Sequence, residues 1–320
     1  MSKPFRRIAA VDCGTNSIRL LISDVLDGEL LGDVHREMRV VRLGQGVDAN
    51  GAFAPEAIDR TRTALRDYVG LMIEAGVDAV RMVATSAARD ASNRDEFFEM
   101  TRHELGRVVS GAVAEVISGD EEARLSFSGA VGQLDSADGP FVVTDLGGGS
   151  TELVLGDSDG VKAAYSADIG SVRITERTLP SDPPTAAEIE AARAFAAERL
   201  AEAFGRVPVE GAKTWVGVAG TITTLAALAL ELPAYDPQQV HLSRFDLSTI
   251  EALCARVVGM NHAERAAHAV IHPGRVDVIG GGAVITTVLA EEFARRSAID
   301  SLVVSEHDIL DGIAMSILAR

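Results

Sequence analysis

VVTDLGGGSTELVLGD, Val142 to Asp157, repeats the design of an earlier stretch, IAAVDCGTNSIRLLI, Ile8 to Ile22. Asp145 aligns with Asp12, Gly147 with Gly14, Ser150 with Ser17 and Leu153 with Leu20, each pair 133 residues apart. Each copy reads as an apolar strand, then Asp-x-Gly-x-x-Ser, then a second apolar strand. Glycine accepts positive φ at no steric cost, so the unit predicts a β-hairpin that turns at its glycine. Two such hairpins, one in each half, predict two similar domains facing each other.

The first copy raises a chemical question. Cys13 and Arg19 have the Cys-x5-Arg spacing of a thiolate phosphatase. Asp12 beside the thiol opposes thiolate formation, and no helix begins after the loop to lower the thiol pKa. In the second copy Leu146 fills the cysteine's place and Glu152 the arginine's. A pattern that tolerates leucine there does not use the position as a nucleophile. Cys13 therefore reads as a small buried filler.

The chain has 320 residues, 47% of them hydrophobic, which supports one large or two medium domains. Its two cysteines, Cys13 and Cys254, predict a reduced, cytoplasmic setting without disulfides. The N-terminus meets Asp12 before any signal-type apolar run forms, and Trp215 to Leu230 is too short and glycine-broken for a membrane span. No membrane association is expected. The net charge of −17 disfavours nucleic acid as a partner. A phosphate compound would need local arginines, backbone amides and a metal to overcome that field.

The remaining pattern is α/β. Ala54 to Gly76 predicts a helix, with Pro55 in its first turn and Gly76 at its end. Val80 to Ala84 predicts a strand running into a helix near Ser86. A second strand turns at Gly119 into a helix from about Asp120. Thr185 and Glu188 form a capping box. Trp215 to Val218 predicts a strand, with Gly220 opening an apolar helix. Four loops, at Gly14, Ser86, Gly147 and Gly220, thus share one design, an apolar strand followed by glycine or small hydroxyl residues. Amides at such turns bind phosphate oxygens. Neither a P-loop nor a G-x-G-x-x-G fingerprint is present.

Asp12, Asp145 and Glu152 mark the same loops. Mg2+ takes oxygen donors and binds phosphate alongside one or two carboxylates, so these three are candidate metal ligands; the alternative is that each Asp caps its own turn. Glu121 and Glu122 begin a helix. They suit either the helix dipole or the orientation of a water for in-line attack, and spacing does not choose between them.

Together VDCGTNSIRL, ATSAARDASN, VISGDEEARL, TDLGGGSTELV and GVAGTITTLAAL resemble the exopolyphosphatase and guanosine pentaphosphate phosphohydrolase family, in family order. The resemblance implies two ribonuclease-H-like domains of the actin-like ATPase superfamily flanking a cleft, here 1–125 with 304–320, and 126–303. It implies Glu122 as catalytic base and Asp145 and Glu152 as Mg2+ ligands. Phosphate would be held by Thr15, Asn16, Ser17 and Arg19 from the first loop and by Gly147, Gly148, Gly149 and Ser150 from the second. Arg89 would add charge, and Gly220 and Thr221 would close the cleft. The implied substrate is inorganic polyphosphate, of short or medium length because the chain ends at Arg320 like the short two-domain members. A phosphorylated nucleotide is the alternative, and a non-catalytic phosphate sensor a third reading. A homodimer is compatible with the family. DVIGGGA, Asp277 to Ala283, is either a helix start in the core or the glycine run that holds adenosine in ATPases of this fold.

Overall fold

The computed structural model describes residues 5–318. In chain order the strands are β1 Arg6–Cys13, β2 Ser17–Leu26, β3 Glu29–Val40, β4 Ala79–Ala84, β5 Glu115–Val116, β6 Phe141–Leu146, β7 Thr151–Asp157, β8 Gly160–Ala167, β9 Thr214–Val218, β10 Arg244–Asp246 and β11 Ser301–Val304. The helices are α1 Val47–Asn50, α2 Pro55–Ala75, α3 Ser86–Asp90, α4 Arg94–Leu105, α5 Gly119–Val131, α6 Ser171–Thr178, α7 Ala186–Arg206, α8 Ala219–Ala229, α9 Pro237–Val240, α10 Leu247–Gly259, α11 His262–Ala266, α12 Ile279–Arg296 and α13 Ile309–Leu318. The chain divides into two units. The first runs to Leu125 and resumes at Ile309; the second is Ser126–Asp308, so β11 stays with it.

The sheet of the first unit has the order β3-β2-β1-β4-β5. Alternation along β1 splits its side chains between two cores. Ala9, Val11 and Cys13 join the cluster under α2 and α4, while Ile8 and Ala10 join the one formed with Leu125 and α13. β1 and β2 are antiparallel, and β1 and β4 are parallel. α2 begins with Pro55 in its first turn and ends at Gly76, whose φ of 66° closes the helix through bonds to Met72 and Ile73.

The second unit repeats this order around β8-β7-β6-β9 and extends it by β11 and β10. β6 is buried along its whole length, as expected for a strand covered on both faces. Trp215 fills the core against Phe293, and its indole N–H donates to Thr144 at 2.8 Å. The capping box of Thr185 and Glu188 is present on α7. Among the described residues no helix is long and apolar enough to cross a membrane.

DVIGGGA opens α12, and its three glycines face packed atoms. A methyl at Gly281 would fall 2.7 Å from Ile174 and 3.0 Å from the Ser171 carbonyl on α6. One at Gly282 would meet the Thr221 hydroxyl oxygen at 2.9 Å, and one at Gly280 the Arg265 guanidinium at 3.0 Å. The run is a close helix contact, which favours the core reading over the adenosine one.

Gly281→Ala therefore forces α6 and α12 apart. Overpacking of this kind costs about 1–3 kcal/mol. Denaturant unfolding should show a loss in that range; an unchanged midpoint would mean that the helices separate without cost.

Candidate functional site

Both hairpins form with the same register. Asp12 pairs with Arg19 across β1 and β2, as Asp145 pairs with Glu152 across β6 and β7. Gly14 N–H donates to the Ser17 carbonyl at 3.0 Å, and Gly147 N–H to the Ser150 carbonyl at 3.0 Å. One detail differs from the sequence reading. Neither Gly14 nor Gly147 takes positive φ. The turn closes through that shared bond, with backbone angles that do not demand glycine.

In each unit a second segment ties the loop carbonyls back. Val41 and Arg42 amides donate to the Asn16 carbonyl at 3.0 and 2.8 Å, and Gly44 donates to Thr15 at 2.8 Å. In the second unit the amides of Ser171, Val172 and Arg173, the start of α6, donate to the Gly147 and Gly148 carbonyls at 2.8–3.1 Å. This approach needs glycine at 170, where a Cβ would lie 2.5 Å from the Gly148 oxygen and the Gly149 nitrogen. The loop carbonyls are thus engaged. Among the described residues no acceptor takes the amides of Thr15, Asn16, Gly148, Gly149 or Ser150. A row of such N–H groups at the carboxyl ends of strands is an anion site.

The charges beside the two loops differ. In the first unit Arg19 donates twice to Asp12 Oδ2, from Nε at 3.0 Å and Nη2 at 2.8 Å. Asp12 is thus already met by a cation, and a metal there would have to displace it. In the second unit the corresponding pair is two carboxylates, both buried, Asp145 at 6% and Glu152 at 1% exposure. Directly opposed residues share a face with Cβ atoms about 4.5–5.5 Å apart, and like charges there repel. The position that Arg19 fills in one copy holds a second carboxylate in the other. Among the described residues no cluster of three or more His, Cys, Asp or Glu could hold a metal. Two carboxylates completed by water and phosphate are the donor set Mg2+ uses, so Asp145 and Glu152 fit it.

α5 sorts the two glutamates that spacing alone did not. Ser118 caps the helix, accepting from Glu121 N–H at 3.2 Å. Glu121 receives Arg81 at 2.6 Å, and the same guanidinium holds Glu115 at 3.1 Å. Glu122 is buried and receives Arg89 of α3 at 2.6 Å; Arg89 also donates to the Ile117 carbonyl at 3.1 Å. Arg89, expected beside phosphate, is therefore also the partner that orients Glu122.

β9 lies parallel to β6, with Val218 opposite Asp145, so the start of α8 stands beside the Gly147 loop. Ala219 makes that junction at φ 69°, a strained angle for a residue with a Cβ. Thr221 is buried against Gly282. Sequence reading missed Arg275, in the turn Pro273–Arg275, whose guanidinium lies so close over Gly220 that a Cβ there would sit 2.6 Å from Nε. It also missed Ser126 and Ser166, which hydrogen-bond to Asp145 and Glu152. None of the three belongs to the repeated pattern, so no sequence signal marked them. Cys13 is buried, and burial with the Asp12 charge pushes its thiol far above the ordinary range.

The pattern of the Ppx/GppA phosphatase family matches residues 21–317. Over 314 residues the chain is 61% identical to Exopolyphosphatase 2 of Mycobacterium tuberculosis, covering 97% of this chain and 98% of that protein. It is 32% identical to a guanosine-5'-triphosphate,3'-diphosphate pyrophosphatase of Aliivibrio fischeri, over 69% of this chain and 43% of that one. The crystal structure of the Aquifex aeolicus Ppx/GppA family member superposes with a TM-score of 0.79 at 33% identity, covering 99% and 98% of the two chains. The fold is that of the Ppx/GppA family.

Glu152→Gln keeps an acceptor for Ser166 and removes the repulsion. In chelator the variant should be more stable than the parent by about 1 kcal/mol, the scale of a cross-strand charge pair. Added Mg2+ should then raise the melting temperature of the parent and leave that of the variant unchanged. A variant less stable in chelator would mean that the pair does not repel. Cys13→Ala should retain phosphate release, and a folded but inactive variant would restore the thiol as nucleophile.

Proposed function

Because the chain belongs to the Ppx/GppA phosphatase family, we propose that it is an exopolyphosphatase, a phosphoanhydride hydrolase that removes the terminal phosphate of inorganic polyphosphate. The observation that carries this reading is the buried Asp145–Glu152 pair beside a loop whose amides take no backbone acceptor among the described residues. A chain of phosphates offers a dense row of anionic oxygens and nothing else, and amides, guanidinium groups and carboxylate-held cations are the groups that bind it.

In the proposed reaction Glu122, oriented by Arg89, accepts a proton from a water. The water oxygen forms a bond to the terminal phosphorus as the anhydride P–O bond breaks in line. Orthophosphate leaves, and the polymer is one phosphate shorter. In the second unit the amides of Gly148, Gly149 and Ser150 hold phosphoryl oxygens; in the first, the amides of Thr15 and Asn16, the Ser17 hydroxyl and Arg19 are groups of the same anion-binding kind. Gly220, Thr221 and Arg275 extend it. Asp145 and Glu152 would hold Mg2+, which when bound neutralises charge on the phosphoryl oxygens. Both cysteines are buried free thiols, which fits a reduced compartment such as the cytoplasm.

Guanosine pentaphosphate is the second reading, favoured by the Aliivibrio relative. Its terminal phosphate would meet the same loops. The glycine run of α12 adds no support for a nucleotide, because its glycines face packed atoms.

Glu122→Gln should leave polyphosphate and Mg2+ binding close to that of the parent while lowering turnover about 10²–10⁴-fold, the range for a general base. Phosphate release from polyphosphates of several lengths, ATP and guanosine pentaphosphate, with and without Mg2+, checks both points. Near-full turnover in the variant would refute the role of Glu122. Release from guanosine pentaphosphate alone would move the substrate to the nucleotide.

A further inference from the structure

Register places Asp145, Glu152 and Ser166 in one row across β6, β7 and β8, since Glu152 pairs with Asp145 on one side and Ser166 on the other. Ser166 Oγ donates to Glu152 Oε1 at 2.7 Å. From α5, Ser126 Oγ donates to Asp145 Oδ2 at 2.5 Å, and Ser126 is fully buried. Each carboxylate of the facing pair therefore receives one hydroxyl proton from a serine outside the Asp-x-Gly-x-x-Ser pattern.

The chemistry of these groups gives the contacts a role. The last torsion of Asp and Glu side chains is broad, so packing alone sets carboxylate orientation poorly. Two like charges on one face also push each other away from a converging geometry. A hydroxyl bonded to a carboxylate can only donate, so it fixes one oxygen without adding charge. We propose that Ser126 and Ser166 are positioning residues that hold Asp145 and Glu152 convergent, so that the pair receives a divalent cation without first paying to reorient. The inference rests on the reading of Asp145 and Glu152 as cation ligands.

The test is Mg2+ titration by calorimetry on the full chain without substrate, for the parent, Ser126→Ala, Ser166→Ala, Ser166→Thr and Asp145→Asn. Loss of a group that orients a metal ligand weakens metal affinity about 10–100-fold. Each alanine variant should weaken Mg2+ binding within that range, with circular dichroism and melting in chelator close to the parent. Ser166→Thr, which keeps the hydroxyl on a strand that suits threonine, should restore the affinity. In turnover the alanine variants should need more Mg2+ for half-activation and reach nearly the parental rate at saturation. Parental Mg2+ affinity in both alanine variants, with Asp145→Asn unable to bind, overturns the serine role alone. Parental affinity in Asp145→Asn overturns the cation site and the inference with it.

Discussion

Two carboxylates that oppose each other across an antiparallel ladder repel, and Asp145 and Glu152 do so from buried positions in the hairpin beside the glycine loop. The rest of that unit is arranged around the constraint. β6 lies buried between β7 and β9, so the pair cannot escape to solvent by shifting a strand. The start of α6 fixes the loop next to it, and Gly281 lets α12 seat α6 closely. Each element narrows the freedom of the pair to move apart.

The first unit solves the same geometry with its own side chain. Arg19 stands where Glu152 stands, and it closes on Asp12 through two hydrogen bonds. The same economy appears elsewhere in a chain of net charge −17. Arg81 is shared by Glu115 and Glu121, and Arg89 is committed to Glu122. A guanidinium held by a carboxylate is pre-oriented, so less side-chain entropy is lost when it meets phosphate. The cost is a weaker net charge, which backbone amides can partly offset without altering the acidic total.

The sequence showed the duplicated hairpins plainly, because strand alternation and an Asp-x-Gly-x-x-Ser turn are local signals and their constant spacing is countable. The ends of α2 were legible for the same reason, through Pro55 and Gly76. The pairing at position 19 was not. Arg19 was read for phosphate and Asp12 for metal, each alone, while hairpin register sets them opposite each other. Listing each residue by its own chemistry hid the pair. Arg275, Ser126 and Ser166 were hidden by distance along the chain, since only the fold brings Gly220, Asp145 and Glu152 beside them. The glycines misled in a third way. Conformational freedom was the expected reason for Gly14 and Gly147, yet the structure requires glycine instead at Gly170 and Gly281, where backbone or a neighbouring helix comes within contact.

The divergence of the two copies has a consequence for how the loops respond to conditions. A loop neutralised by its own guanidinium keeps its charge balance at any metal concentration, because arginine stays protonated throughout the working pH range. On the proposed function, a loop that faces two carboxylates gains affinity for phosphate when a cation is held beside it. Among the differences between the two copies, arginine at 19 against glutamate at 152 would, on the proposed function, make one loop's affinity for anions fixed and the other's conditional. The conditional loop is the one whose carbonyls are gripped by a helix start and whose carboxylates are held by hydroxyls. That is the order physical reasoning requires, since a site that must wait for its charge gains most from having every other degree of freedom already settled.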